Sequence, residues 1–208
     1  MKDSITHRMA ANAPFGVWVP ADFANLGPRD ALDQVLHRLV RAGMIRRITR
    51  GLYDKPNLNA LTGKSTHPDP RSVIDALARR DPARMIVDGL TAANDIGLSD
   101  AVPAHIIVHT DARLKSLALG NLIIRFKKTA PSKLFWAGRP AMRVVQALHW
   151  LRDTLQSDAP HVRKRLISIF ADPVHGSAIT ADLRGGLSTL PVWMQSFLRD
   201  LIENDVAA

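Results

Sequence analysis

The chain has 208 residues, 46% hydrophobic and 23% charged, enough for one large globular domain or two small ones. It has no cysteine, which excludes disulfides, thiolate zinc sites and cysteine nucleophiles, and no run of about 18 uncharged apolar residues predicts a membrane span. Lys and Arg number 28 against 19 Asp and Glu, a formal charge of +9, which favours a polyanionic partner because neutralised phosphates release condensed counterions.

The first sixty residues predict three helices and a hairpin. A polar segment from Asp3 to about Asn12 carries Ile5 and Met9 four apart, the spacing of one helix face. Phe15, Val17 and Trp18 lead to Pro20, which opens a short helix to about Leu26, ended by Gly27. Pro28 opens the third helix at its first position, with Asp30 in the first turn where the macrodipole favours an anion. Its apolar set Ala31, Leu32, Val35, Leu36, Leu39 and Val40 repeats at the helical period. Gly43 closes it. Ile45 and Ile48 then bracket Arg46 and Arg47, Gly51 supplies a turn, and Leu52 and Tyr53 form a return strand cut off by Pro56.

From Pro56 to Pro70 the chain is crowded with proline, asparagine, glycine and threonine and reads as a linker. The expected organisation is a first domain over 1–58, a linker over 59–71 and a C-terminal domain over 72–208. In that domain the pattern predicts helices near 71–80 and 90–96 and strands near 84–87, 104–110 and 122–129. The segment DARLKSLALGN between the last two strands is too long for a tight hairpin turn. Helices follow near 139–156, 161–170 and 191–203, with Gly185 and Gly186 as a turn. The fold class expected is a mainly helical α+β chain: an N-terminal winged helix-turn-helix, then a mixed α/β C-terminal domain with a small sheet.

Basic charge is clustered. Six cations lie between Arg38 and Lys55 against Asp54 alone, and eight between Arg113 and Arg143 against none. Three helices and a basic hairpin match a helix-turn-helix with a wing, whose last helix enters the major groove. Arg29, Asp33, Gln34 and His37 fall off the apolar stripe of the third helix and are the candidate base readers, since arginine and glutamine match guanine and adenine edges. Arg38, Arg41, Arg46, Arg47, Arg50 and Lys55 are the candidate phosphate contacts. A solvated charged face, or a protein-binding module, fits the same pattern.

In the second half, Arg125, Lys127, Lys128 and Lys133 form a further basic segment. It suits a second DNA surface, a dock for an acidic partner, or a strand edge protected by lysine. His105 and His109 on one strand stand roughly 13 Å apart, too far to share a metal. Arg143 and His149 loosely resemble the active-site motif of HEPN-type ribonucleases, yet six helical positions put them far around the cylinder. Glu203 and the scattered aspartates form no paired-carboxylate set. Neither a metal, a cofactor nor a catalytic residue is expected, and with no apolar leader behind Lys2 the expected compartment is the cytoplasm.

The runs DFANLG and ALDQVLHRLVRAGMIRRITRGLYDKP resemble the N-terminal domain of the AbiEi-type antitoxins of type IV toxin–antitoxin systems and their stand-alone relatives. The segments LTGKSTHPDP, GLTAANDIGLSDAVPAHIIVHTDARLKSLALGNLIIRFKKTAP and LPVWMQSFLRDL are similar to the antitoxin-like domain in content and order. The resemblance implies a repressor bound to double-stranded DNA at its own promoter, often at inverted repeats. In complete systems it also implies action against a nucleotidyltransferase-like toxin. The alternative is a toxin-neutralising interaction protein in which DNA binding is secondary. A remote third reading is a ribonuclease using Arg143 and His149.

Overall fold

The computed structural model describes residues 1–11, 16–101 and 103–204. It is a mainly helical α+β chain with eight α-helices and two small sheets among the described residues. Two compact units emerge. One comprises Met1–Ala83 with Ala118–Asn121, the other Arg84–Leu117 with Leu122–Ala208.

In the first unit the order is α1 (Lys2–Ala11), β1 (Val17–Trp18), a 3-10 helix (Pro20–Leu26), α2 (Arg29–Arg41), β2 (Arg46–Thr49), β3 (Leu52–Asp54) and α3 (Pro70–Arg80). Ile5 and Met9 are buried as their spacing predicts; Phe15 lies outside the described residues. The second helix is 3-10 in type. Its first turn is fixed by Asp22, whose amide donates to the Val19 carbonyl while its carboxylate accepts from the Val19 amide at 2.9 Å. Phe23 from this turn stacks on Trp18 with centroids 5.3 Å apart. Around them Ile5, Met9, Leu32, Val35, Leu36, Leu39, Ile45 and Tyr53 complete one core, each fully buried aliphatic contributing about 1.5–3 kcal/mol.

Helix α2 starts at Arg29, with Pro28 at the capping position immediately before it. It ends in a Schellman turn: the Gly43 amide donates to the Val40 carbonyl and the Met44 amide to Leu39, with Gly43 at φ +67°. A side chain rarely adopts that φ, so glycine suits the reversal into β2. The sheet order is β1-β3-β2, antiparallel throughout, with Arg46 opposite Asp54, Arg47 opposite Tyr53 and an irregularity between Arg47 and Thr49.

The segment from Pro56 to Pro70, expected as linker, contains a loop closed by a Leu58–Ser65 bridge and by mutual bonds of Asn57 and Thr66. Asp69 then caps α3 by accepting from the Ser72 amide at 3.0 Å. Val73, Ile74, Ala76 and Leu77 bury one face of α3. Its last turn reaches back, Arg79 donating to the Val17 carbonyl at 2.9 Å and Arg80 to that of Arg50 at 2.6 Å.

The second unit runs β4 (Met85–Val87), α4 (Gly89–Asp95), β5 (His105–Thr110), β6 (Leu117–Leu119, of which Ala118 and Leu119 fall in the first unit), β7 (Leu122–Lys128), a 3-10 turn (Pro131–Leu134), α5 (Met142–Leu151), α6 (Leu155–Phe170), α7 (Gly176–Gly186), a second 3-10 turn (Leu187–Thr189) and α8 (Val192–Asn204). Its sheet has the order β4-β5-β7-β6, with β4 antiparallel and β7 parallel to β5. Strand β6 lies inside the expected long connector, because the tight turn is Gly120-Asn121 at its end, with Gly120 at φ +63°.

The single helix expected over 139–156 is broken at residues 152–154, and α6 continues through Pro160. Burial of Leu155, Val162, Leu166 and Phe170 along α6 outweighs the one backbone bond the proline forfeits, a penalty of about 3 kcal/mol. Gly185 and Gly186 are the last residues of α7, where a turn was expected. Gly186 is buried, and a Cβ there would strike the Trp136 ring. Gly89 likewise lets α4 approach α5: a Cβ would stand 2.8 Å from the Gln146 carbonyl oxygen. No described helix is long and apolar enough to cross a membrane.

Candidate nucleic-acid interface

Helix α2 divides sharply into two faces. At about 100° per residue, Leu32, Val35, Leu36 and Leu39 share one side, and all four are buried. Gln34, His37 and Arg41 point the opposite way and are exposed, with Arg38 on one flank and Arg29 and Asp33 on the other. Arg29 is bonded to Asp33, Nε to Oδ2 at 2.9 Å, an exposed i,i+4 pair. Such a pair contributes only about 0.3–0.5 kcal/mol, so an incoming base or phosphate can displace it. Asp30 and Asp33 lie towards the N-terminal end and the cations Arg38 and Arg41 in the last turn, both favourable to the helix dipole.

The hairpin separates its cations into two kinds. Arg46 is committed internally: Nε donates to Asp54 Oδ1 at 3.0 Å, Nη2 reaches Oδ2, and Nη2 also donates to the Thr66 carbonyl at 2.9 Å. The Asp54 side chain is only 4% exposed. Direct cross-strand register creates this pair, and its one signal in the sequence is that Asp54 is the lone acid in a run of cations. Arg47, Arg50 and Lys55, by contrast, are exposed and make no ion pair among the described residues. They border the turn at Gly51, whose φ of +73° permits the reversal.

In the second unit the parallel register sets Ile107 beside Arg125 and His109 beside Lys127. His105, Ile107 and His109 alternate with buried Ile106, Val108 and Thr110. Arg125, Lys127 and Lys128 are exposed on β7, and Lys133 follows in the 3-10 turn. His109 accepts or donates at Nδ1 with the Thr129 hydroxyl at 3.1 Å. Burial first, then the Lys127 charge, pushes its pKa below the ordinary histidine value, against an upward pull from Asp88. No group of three or more metal-ligating side chains is found among the described residues.

Arg143 and His149 both lie on α5 and serve different neighbours. Arg143 donates to Asp95 at 2.8 Å, while His149 meets Trp193 edge to face, centroids 6.5 Å apart. Desolvation, then the charge of Arg152, lowers the His149 pKa. Sequence reasoning did not anticipate how many arginines anchor the fold: Arg139 on Asp182 at 2.8 Å, Arg84 on Asp111 at 3.1 Å, Arg165 on the Ile96 carbonyl at 2.6 Å.

Residues 5–169 match the sequence profile of DUF6088, described as a family of unknown function. No curated protein matches the chain.

Proposed function

The chain belongs to the DUF6088 family, and we propose that it is a sequence-specific DNA-binding repressor whose first unit is a winged helix-turn-helix. The carrying observation is the division of α2 into a fully buried leucine and valine face and an exposed face bearing Gln34, His37 and Arg41. A helix held by such a core presents a rigid row of donors and acceptors, which is what reading base edges in the major groove requires. The order helix, strand, helical turn, helix, strand, strand, with β1 against β3, supports the wing. Arg47, Arg50 and Lys55 would lie along phosphates, whereas Arg46 would hold the hairpin together. The resemblance to AbiEi-type antitoxins adds that the target is its own promoter.

The test is competition between duplex DNA from upstream of its own reading frame and random duplex. Replacing Gln34 with alanine leaves the fold and random-DNA affinity unchanged. It lowers the preference for the upstream duplex by roughly 1–3 kcal/mol if the base contact is good. An unchanged ratio after Gln34→Ala, His37→Ala and the double change would mean that α2 reads no sequence.

A further inference from the structure

A cleft of ≈ 480 Å³ lies in the first unit beside α2, lined by Met1, Lys2, Val35, Arg38, Leu39 and Ala42. Its aliphatic lining is the Met1 side chain, 41% exposed, with the Ala42 methyl, over a floor where Val35 and Leu39 are 7% and 1% exposed. Lys2 and Arg38 stand in its wall, both exposed and without an ion pair among the described residues. The size falls in the range of small-molecule sites, which are typically apolar with a few placed polar groups.

The chemistry of the wall restricts the occupant. A bare inorganic anion would satisfy the cations and leave the aliphatic surface wet. A neutral hydrocarbon would do the reverse. We propose that this cleft binds a medium-chain alkyl carboxylate, its head on Arg38 and Lys2 and its chain along Val35, Leu39 and Ala42. Arg38 also belongs to the phosphate-contacting flank of α2. A carboxylate paired with its guanidinium therefore competes with DNA, and the ligand releases the protein from its site. The binding step stands alone; the release rests on the DNA-binding reading.

The full chain is titrated calorimetrically with decanoate, octanoate and decan-1-ol below micellar concentrations. Decanoate is expected to bind at one site, about tenfold or more tighter than octanoate, because each buried methylene is worth about fourfold. Decan-1-ol, lacking the charge, binds more weakly than decanoate, and Arg38→Gln weakens decanoate about fivefold, the scale of an exposed ion pair. Ala42→Phe fills the cleft from an exposed position and abolishes decanoate binding while the circular dichroism spectrum is retained. Equal affinity for decanoate and decan-1-ol, or undiminished binding in the Ala42→Phe protein, overturns the cleft. In the second arm, saturating decanoate lowers affinity for the upstream duplex in the native chain but not in Ala42→Phe. Decanoate bound with DNA affinity unchanged overturns the competition for Arg38. A chain that binds decanoate and no DNA overturns the DNA-binding reading and keeps the cleft.

Discussion

Arg46 and Arg47 are neighbours in sequence and identical in chemistry, yet they do opposite things. On β2 they point to opposite sides of the sheet, and only Arg46 stands opposite Asp54. Composition alone groups them as wing cations; the register that separates them is fixed by the turn at Gly51 and by the irregularity before Thr49, which no local pattern announces. Removing Arg46 leaves the Asp54 carboxylate almost fully buried without its guanidinium. Arg46→Ala is therefore expected to destabilise the chain by roughly 3 kcal/mol, whereas Arg47→Ala changes stability by less than about 0.5 kcal/mol. Urea titrations of the two variants check this through their midpoints. Equal, small shifts would mean that the Arg46–Asp54 pair contributes nothing to the hairpin.

Helices with an apolar stripe were legible from sequence: α2, α3 and α8 fall within a few residues of where the pattern puts them, and the four-residue spacing of Ile5 and Met9 places α1. Several elements that were not legible turn on a glycine or proline read at its local value, whereas the break at 152–154 contains neither. Pro160 precedes the helix expected near 161–170 and sits inside α6; Gly185 and Gly186 read as a turn and end α7; Gly120-Asn121 reads as part of a loop and makes the tight turn after β6. Tertiary packing decides each case. At Gly186 the deciding neighbour is Trp136, 6% exposed, which occupies the space a Cβ would need. Gly185, one residue earlier, is exposed and has no atom near its Cβ position. The two positions should therefore respond to alanine with opposite signs. Gly185→Ala stabilises by about 0.5–1 kcal/mol through helix propensity, and Gly186→Ala destabilises by about 1–3 kcal/mol through overpacking. Thermal melts showing both variants raised would place Trp136 away from α7.

At the scale of the whole chain, the open question is where the first folding unit stops. Turn-forming residues over 56–70 suggest an end at 58, and nothing in that segment's composition signals that the chain after it returns to the same body. The signal lies in longer-range geometry. Arg79 and Arg80, at the end of α3, bond the carbonyls of Val17 and Arg50, and four apolar residues of α3 are buried. A 58-residue fragment keeps α1, α2 and the hairpin but strips these carbonyls of their partners. It also stands at the size where a single core barely offsets chain entropy. A fragment of residues 1–83 restores α3 and lacks only Ala118–Asn121 of its unit. The expected outcome is a cooperative denaturant transition for 1–83 and a shallow or absent one for 1–58. With Val73, Ile74 and Leu77 of α3 buried at about 1.5 kcal/mol or more each before entropy, the difference in stability should exceed about 2 kcal/mol. If 1–58 unfolds as cooperatively and as late as 1–83, α3 is a passenger on the first unit, and the elements proposed to contact DNA fold without it. If only 1–83 is folded, DNA binding assayed on the shorter piece would report an unfolded polycation, whose affinity falls steeply with salt and is indifferent to sequence.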